Sequence, residues 1–138
     1  MRGYRGRLEH TGTARSWRAA ALAACGALLV SLAGCDDEPK PLRVPGGEAA
    51  RGKALMAQYQ CGSCHAIPGV TGARGTAGPS LDTFGLRSYI AGHIPNQPDN
   101  LVRWLLDPPA MVPGTPMPQL GLSEDEARHM AAYLYTLQ

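Results

Sequence analysis

Apolar residues recur at helical spacing in three stretches of the chain. These stretches are residues 48–60, 99–106 and 122–137. Side chains three or four positions apart share one face of a helix, so each stretch predicts a helix that buries one face. Ser123 and Glu126 form a capping-box pattern at the start of the third stretch. Residues 66–98 show little periodicity and are punctuated by Gly and Pro, which predicts a long loop region.

Gly52 lies in the middle of the first predicted helix, where glycine costs about 1 kcal/mol relative to alanine. We expect it to be tolerated because the last helix crosses closely there. The 138 residues include 17 Gly and 12 Pro, and only 6% are aromatic. The length fits one domain. We therefore predict an all-α domain in which a few short helices are joined by long loops.

The N-terminus predicts an export signal. Five arginines precede or flank an apolar run at residues 19–32, and the sequence Leu32-Ala33-Gly34-Cys35 follows. The run has about 14 residues, whereas a membrane-spanning helix needs about 20, so a removable signal is the better interpretation. The segment also resembles a bacterial lipobox, which implies diacylglycerol on the Cys35 thiol and cleavage before it. The alternative is a plain signal peptide with an incidental cysteine.

These features divide the chain into three predicted parts. They are a lipoprotein signal peptide at residues 1–34, the lipidated cysteine with a Pro- and Gly-rich linker at residues 35–47, and a domain at residues 48–138. In lipoproteins of some bacteria, acidic residues such as Asp36 and Asp37 imply retention in the inner membrane rather than the outer one. We expect an exported protein that is lipid-anchored to the cell membrane and faces the periplasm.

Removal of the signal changes the charge of the chain. The full sequence has 13 Lys and Arg and 11 Asp and Glu, for a formal net charge of +2. Five of the basic residues and one of the acidic residues lie in the signal, so 8 and 10 remain and the net charge becomes −2. No basic patch survives, which argues against a nucleic-acid partner.

The cysteine spacing predicts a haem. Cys61-Gly62-Ser63-Cys64-His65 is the attachment signature of a c-type haem, in which two thiols bond the vinyl groups and histidine ligates the iron. A thioredoxin-like redox pair would need a βαβ context, which the pattern lacks. A zinc site would need two further ligands, and only His93 and His129 are left for it. One covalently bound haem c is therefore the predicted cofactor.

Two further motifs complete the predicted iron site. Gly78-Pro79-Ser80-Leu81 offers the Pro79 carbonyl, which can accept the second ring N–H of His65 and so fix the ring. The loop Pro113-Gly114-Thr115-Pro116-Met117-Pro118 offers the Met117 thioether as the sixth ligand, which would raise the reduction potential. Met111 and His93 are the alternative ligands.

In this order, the motifs resemble those of a class I cytochrome c. The stretch from Ile94 to Pro118 is similar to the cytochrome c domain fused to subunit II of some bacterial haem–copper oxidases. The resemblance covers roughly residues 48–138 and implies three to five short helices and long loops wrapped around one covalent haem. It also implies a haem pocket in which Trp104 lies beside the axial methionine. The remaining implied pocket residues are Pro79 and Leu81, with Arg87 and Thr115 at the propionates.

The resemblance implies single-electron transport and not enzyme catalysis, with no small-molecule substrate. Because this sequence shows neither a copper-site domain nor a transmembrane hairpin, we expect a free-standing, lipid-anchored relative. The expected redox partners are quinol–cytochrome c reductase as donor and a terminal oxidase as acceptor. Two alternatives stay open. One is a cytochrome c subunit of a periplasmic dehydrogenase, and the other is an enzyme or gas sensor whose methionine ligand is labile or absent.

Overall fold

Short helices occupy the three stretches in which the periodicity predicts them. The computed structural model describes residues 40–138, so the predicted signal peptide, Cys35 and the first part of the linker lie outside the described residues. The helices are α1 (Ala49–Gln58), α2 (Pro98–Leu106), α3 (Pro108–Met111) and α4 (Glu124–Tyr135). Short 3-10 turns lie at Cys61–Ser63 and Phe84–Leu86, and strands β1 (Tyr89–Ile90) and β2 (Ile94–Pro95) pair antiparallel. The predicted fold class, short helices joined by long loops, is confirmed.

The first and last helices cross at Gly52, as predicted. Gly52 is buried, and a Cβ at this position would overlap the carbonyl oxygen of His129 in α4. The missing side chain therefore allows the two backbones to touch. The buried His129 ring secures the same crossing, because its Nδ1 accepts a 2.9 Å hydrogen bond from the backbone N–H of Glu48. That N–H lies at the start of α1, where backbone donors lack partners within the helix.

Prolines set the limits of α2 and α3. Pro98 stands in the first turn of α2, where its missing N–H is not needed, and α2 ends just before Pro108. Helix α3 begins at Pro108 itself, and the Asp107 carboxylate caps α3 by accepting a 3.1 Å hydrogen bond from Ala110 N–H. The sequence pattern does not predict α3, since a helix of four residues is too short to display a period.

The capping box of α4 is formed and extends to α1. Glu126 N–H donates to Ser123 Oγ at 3.3 Å, and Ser123 N–H donates to the Glu126 carboxylate at 2.9 Å. The same carboxylate accepts a 3.0 Å hydrogen bond from the Tyr59 hydroxyl. These hydrogen bonds, chiefly those from Ser123, lower the pKa of Glu126, and the bond to Glu126 raises the pKa of Tyr59.

Residues 44–47, which we predicted as the end of the linker, pack against the domain. Val44 is 7% exposed and belongs to the core. Gly47 lies close to α4, because a Cβ on it would be 2.6 Å from the Arg128 carbonyl oxygen. Arg128 also donates to the Pro45 carbonyl at 3.4 Å. The packed part of the chain thus begins near Val44, and the sequence pattern misses this because one apolar residue among prolines shows no period.

A buried hydrogen-bond network joins the loop region to α4. The side-chain amide of Asn96 donates to the carbonyls of Phe84 at 3.2 Å and Arg87 at 2.9 Å. Its side-chain oxygen accepts a 3.0 Å hydrogen bond from the Tyr135 hydroxyl, whose burial raises the pKa of Tyr135 to about 12. Residues 66–98 are therefore more ordered than the predicted loop region, with a hairpin (β1–β2) and a polar anchor at Asn96.

The core lies among α1, α2 and α4. Its largest fully buried residues include Met56, Leu101, Met130 and Tyr135. Met56 and Met130 lie on the buried faces of α1 and α4. Within residues 40–138, no helix is long and apolar enough to cross a membrane.

Replacing Gly52 with alanine tests the helix crossing. Alanine favours an isolated helix by about 1 kcal/mol. Here its Cβ would collide with the backbone of α4, so we expect a net destabilisation of about 1–3 kcal/mol, measured by urea unfolding. The control Ala54→Gly, at an exposed position of the same helix, should cost about 1 kcal/mol. A Gly52→Ala protein at least as stable as the wild type would contradict the close crossing.

Replacing Glu126 with glutamine tests the extended cap through its pH dependence. Because folding lowers the pKa of Glu126, the carboxylate stabilises the fold above its unfolded pKa, and this contribution is lost as the pH falls through the folded value. The free energy of unfolding of the wild type should therefore fall more steeply than that of Glu126→Gln between about pH 5 and pH 3. Asp125→Asn is the control, because it removes a carboxylate from the same turn that takes no part in these hydrogen bonds. Equal slopes for the wild type and Glu126→Gln would show that the cap is not charge-dependent.

Candidate functional site

The cysteine motif is held by a second segment of chain that runs beside it. Three backbone hydrogen bonds of 2.8–3.0 Å join residues 62–66 to residues 75–81. They are donated by Gly75 to Gly62, by Gly78 to Cys64 and by Leu81 to Ala66. The two motifs that the sequence analysis singled out, around Cys61 and around Pro79, are therefore neighbours in space.

A left-handed residue turns the chain from α1 into the cysteine motif. Gln60 has φ 55° and stands directly before the 3-10 turn that begins at Cys61. The N–H groups of Cys64 and His65 both donate to the Cys61 carbonyl, at 3.3 and 3.0 Å. Cys61 is half-buried and Cys64 exposed, and burial raises the pKa of the Cys61 thiol. The motif is thus a fixed turn that presents two thiols and one imidazole.

The imidazole of His65 is oriented by a backbone carbonyl. Its Nδ1 lies 2.7 Å from the carbonyl oxygen of Pro79. A carbonyl oxygen can only accept, so Nδ1 carries the proton and donates it to this hydrogen bond. In the neutral ring, Nε2 is then left with a free lone pair, which is the form in which histidine binds a metal.

Gly78 fixes the plane of the same ring. A Cβ on Gly78 would lie 2.7 Å from His65 Nδ1 and 3.0 Å from Nε2, so only glycine allows the backbone to pass at this distance. The ring is therefore held by the Pro79 carbonyl and by direct contact with the Gly78 backbone. Neither restraint depends on a flexible side chain.

A cavity of about 680 Å³ opens beside the cysteine motif. Its volume falls within the range of about 300–1,000 Å³ that is usual for small-molecule and cofactor sites. Among the described residues that line it, Arg87 is the only one with a permanent charge, and most of the others are apolar. The four residues predicted to hold and ligate a haem all line this cavity: Cys61, Cys64, His65 and Met117.

Met117 is half-buried in a loop with few hydrogen bonds. Thr115 N–H donates to the Val112 carbonyl at 3.1 Å, and Met117 N–H reaches Thr115 Oγ1 at 3.4 Å. Pro116 and Pro118 flank the methionine, and their rings fix the backbone φ on both sides of it. The loop therefore owes its shape to proline more than to hydrogen bonding.

The two alternative ligands lie outside the cavity lining. Met111 does not line the cavity formed by the described residues, and it packs against the core at the end of α3. His93 does not line it either, and its exposed ring lies in the hairpin turn, with Nδ1 3.1 Å from the Ala91 carbonyl oxygen. The structure thus brings Met117, and neither of its rivals, to the cavity.

The remaining residues that were expected around the haem also line the cavity. They are Pro79, Leu81, Arg87, Trp104 and Thr115. Leu81 and Trp104 are buried apolar walls. The Arg87 guanidinium donates to the carbonyls of Ser80 and Asp82, and it lies 5.6 Å from the centre of the Phe84 ring.

The zinc alternative finds no ligand set. Within residues 40–138, no three His, Cys, Asp or Glu side chains are grouped so that they could hold a metal ion. Structural zinc needs four such ligands from the protein. One imidazole beside an apolar cavity suits instead a macrocycle that brings its own ring nitrogens to the metal.

A family model for cytochrome c matches residues 49–138. The chain belongs to the cytochrome c family. Three bacterial proteins, each named subunit 2 of cytochrome c oxidase, are similar to 85–94 residues of the chain. They come from Alkalihalophilus pseudofirmus (35% identity over 91 residues, 65% of this chain and 26% of that protein), Bacillus subtilis (36% over 85 residues, 57% and 24%) and Bacillus sp. strain PS3 (32% over 94 residues, 65% and 26%).

The chain spans about a quarter of the length of these three relatives. The family match nevertheless covers the whole predicted domain except its first residue. It confirms the expectation of a class I cytochrome c that binds haem c covalently and carries electrons.

The residues of this cytochrome c fit a covalently bound haem. Haem, when bound, supplies one iron that alternates between the ferric and ferrous states. Cys61 and Cys64 would hold it, His65 would offer Nε2, and Met117 would offer its thioether sulfur. Apolar surroundings of this kind disfavour an increase in the net charge of the site, which is one means by which a protein sets a reduction potential.

Several lining residues were missed by the sequence analysis. Tyr89, Ile90 and Ala91 come from strand β1 and its turn, and Leu120 follows the methionine loop. A turn residue, Gly92, stands between two isoleucines, and this could have indicated the hairpin. Nothing comparable marks Leu120, because its role depends on where the loop returns to the cavity.

Replacing Gly78 with alanine tests how the axial ring is held. The added Cβ would push the His65 ring away from the Pro79 carbonyl, so we expect a lower yield of haem-loaded protein and a changed midpoint potential. A pyridine haemochrome assay and a potentiometric titration measure these quantities. Thr76→Ala, at an exposed position two residues away, is the control and should leave the haem yield and the midpoint potential at their wild-type values. Wild-type yield and potential in Gly78→Ala would show that the ring is not held by this contact.

Proposed function

We propose that this cytochrome c is a lipid-anchored mono-haem carrier in a respiratory chain. It takes single electrons from a quinol–cytochrome c reductase and passes them to a haem–copper terminal oxidase. The observation that carries the proposal is that Cys61, Cys64, His65 and Met117 line one apolar cavity. Two thioether bonds prevent loss of the cofactor outside the cell. Two axial side chains leave no iron position for a substrate, which is the arrangement of a carrier.

The proposed axial pair favours a high reduction potential. A thioether stabilises the ferrous state, and the apolar wall around Trp104 and Leu81 acts in the same direction. The proline-flanked loop can hold Met117 at nearly one position in both oxidation states. Little structural change then accompanies the transfer, which keeps the barrier to it low.

Replacing Met117 with alanine tests the ligation. We expect loss of the iron–thioether charge-transfer band, a lower midpoint potential and new binding of carbon monoxide to the reduced protein. Optical spectra and a potentiometric titration measure all three. Met111→Ala is the matched control and should keep the band and the potential. Persistence of the band in Met117→Ala, or carbon monoxide binding by the reduced wild type at neutral pH, would count against the carrier and favour an enzyme or sensor.

The relatives support an oxidase as the acceptor. All three are named subunit 2 of cytochrome c oxidase, and their similarity to this chain extends over 85–94 residues, about the length of the cytochrome c family match. A domain of this kind attached to an oxidase would deliver electrons to it, and a free domain on a lipid tether could deliver them by collision at the same surface. Copurification of a dehydrogenase whose substrate reduces the haem would favour the alternative, a cytochrome c subunit of a periplasmic dehydrogenase.

The lipid anchor is supported by the sequence around Cys35. Diacylglycerol on the thiol and a further acyl chain on the new amino terminus would bind the membrane stably, since each buried methylene contributes about 0.8 kcal/mol. Eight residues lie between Cys35 and Val44, the first core residue of the described domain, so the tether spans at most about 30 Å. The carrier would therefore stay within reach of partners on the periplasmic side of the cell membrane.

Replacing Cys35 with alanine tests the anchor. We expect the wild type in the membrane fraction and Cys35→Ala in the soluble fraction or retained with its signal uncleaved, because the thiol that accepts the lipid is gone. Fractionation, with haem staining and mass spectrometry of the N-terminal peptide, measures this. Cys25→Ala, which changes the other cysteine of the N-terminal segment, should behave like the wild type. An unmodified Cys35 in wild-type protein would leave only the plain signal peptide.

A further inference from the structure

The tether enters the domain through a short segment that packs on α4. We call residues 44–48, which lead into α1, the clasp. Val44 is buried in the core, and the Pro45 carbonyl accepts a long hydrogen bond, 3.4 Å, from Arg128. Gly47 adds a close backbone contact with α4. The clasp is therefore held by few contacts, which is the condition for a segment to open while the rest of a domain stays folded.

The last residue of the clasp is bonded to a buried histidine. Glu48 N–H donates a 2.9 Å hydrogen bond to Nδ1 of His129, which is 5% exposed. Nδ1 can accept only while it carries no proton, so this contact requires the neutral ring with its proton on Nε2. A protonated imidazole has an N–H group at both nitrogens and would meet the Glu48 N–H with a second donor. A single proton therefore abolishes the shorter of the two hydrogen bonds that join the clasp to α4.

The charged and titratable groups around His129 carry both signs. They are Arg43, Glu48, Arg51 and Lys53 on the clasp side and α1, Asp125, Glu126, Arg128 and Tyr133 on α4, and Asp99 and Arg103 on α2, which also packs on α4. Arg128 pairs with Glu124, and burial raises the pKa of Tyr133, which stays neutral. Within the described domain, the hydrogen bond of the His129 ring is made with the backbone of Glu48 and with none of these side chains. The ring thus has no ionic partner that would hold its proton in place.

We propose that protonation of His129 opens the clasp, and that opening lengthens the tether in acid. The proposal rests on the lipid-anchored carrier proposed above. With the clasp closed, residues 36–43 separate Cys35 from the domain, whereas residues 36–47 separate them when it is open. At about 3.4 Å per residue, the greatest reach grows from about 30 Å to about 45 Å. The local concentration of the domain at partners in the membrane would then fall, because effective concentration decreases as a tether lengthens.

The size of the effect follows from the linkage between protonation and opening. The closed clasp needs the neutral ring, so it is favoured at high pH and loses this support as the pH falls. Histidine is the side chain whose charge changes between about pH 5 and pH 8. For a solvent-exposed histidine that titrates near pH 6.5, the ratio of open to closed clasp rises about tenfold between about pH 7.5 and pH 5.5.

Limited proteolysis of the full-length, haem-loaded protein in a non-ionic detergent tests the proposal. Trypsin cuts between Arg43 and Val44 only when the clasp is released, because Val44 is buried in the closed state. When reclosing is fast, the cutting rate reports the open population. Each rate is divided by that of a free peptide of residues 40–48 under the same conditions, which removes the pH dependence of trypsin itself. We expect the normalised rate to rise about tenfold from about pH 7.5 to pH 5.5, with the bond after Arg51, inside α1, cut at least about tenfold more slowly.

Variants of the histidine separate the clasp from a general effect of acid. His129→Asn keeps an oxygen that can accept the Glu48 N–H but does not titrate, so its normalised rate should change less than about twofold with pH. His129→Leu lacks the acceptor and should be cut rapidly at both pH values. His93→Asn, which changes an exposed histidine in the hairpin turn, is the matched control and should show the wild-type rise. Haem content and helical circular dichroism are checked first, and His129→Asn alone decides the test if His129→Leu does not fold.

Three results would overturn the proposal. They are a wild-type normalised rate that changes less than about twofold with pH, a His129→Asn protein whose rate rises as steeply as that of the wild type, and a cut after Arg51 that rises together with the cut after Arg43. Failure of the proposed anchor is recognised separately. In isolated membranes, cutting after Arg43 should release the haem domain. A wild type that is soluble before trypsin is added would refute the anchor, whereas the rates in detergent would still report the clasp.

Discussion

The site depends on one hydrogen bond between a ring nitrogen and a backbone carbonyl. His65 Nδ1 donates to the Pro79 carbonyl, and this fixes the tautomer, the orientation of the ring and the free lone pair on Nε2. The carbonyl can serve this purpose because residues 75–81 are themselves bonded to residues 62–66. Gly78 then permits the contact with the ring. The proposed haem attachment and axial ligation would thus rest on a piece of paired backbone.

The helices provide the frame that keeps this backbone in place. The crossing of α1 and α4 at Gly52 is among the tightest contacts of the described fold, and it positions the end of α1, where Gln60 turns the chain into the cysteine motif. The Asn96 network connects the opposite wall of the cavity to α4 through Tyr135. Both walls are therefore tied to one helix. A change at the α1–α4 crossing would reach the site through α1, and a change at Tyr135 would reach it through Asn96.

The sequence predicts well the parts of this molecule that have a strong local signal. Helical periodicity places α1, α2 and α4. Gly52 indicates the crossing of α1 and α4, and the cysteine spacing predicts the cofactor. The hairpin β1–β2, helix α3 and the packed residues 44–47 were missed, because two- to four-residue elements show no period. Asn96 carries no sequence signal at all, since its three side-chain hydrogen bonds are made with residues 9 to 39 positions away. The apolar wall of the cavity likewise forms only after distant loops have been brought together.

The central claim is that one haem, bonded to Cys61 and Cys64, is ligated by His65 and Met117 in a cavity formed by these loops. A crystal structure of the haem-loaded protein in its oxidised and reduced states tests this most directly. We expect His65 Nε2 and Met117 sulfur on the iron in both states, with His65 Nδ1 still bonded to the Pro79 carbonyl. A different axial ligand, an open sixth position, or a His65 ring turned away from Pro79 would contradict the account.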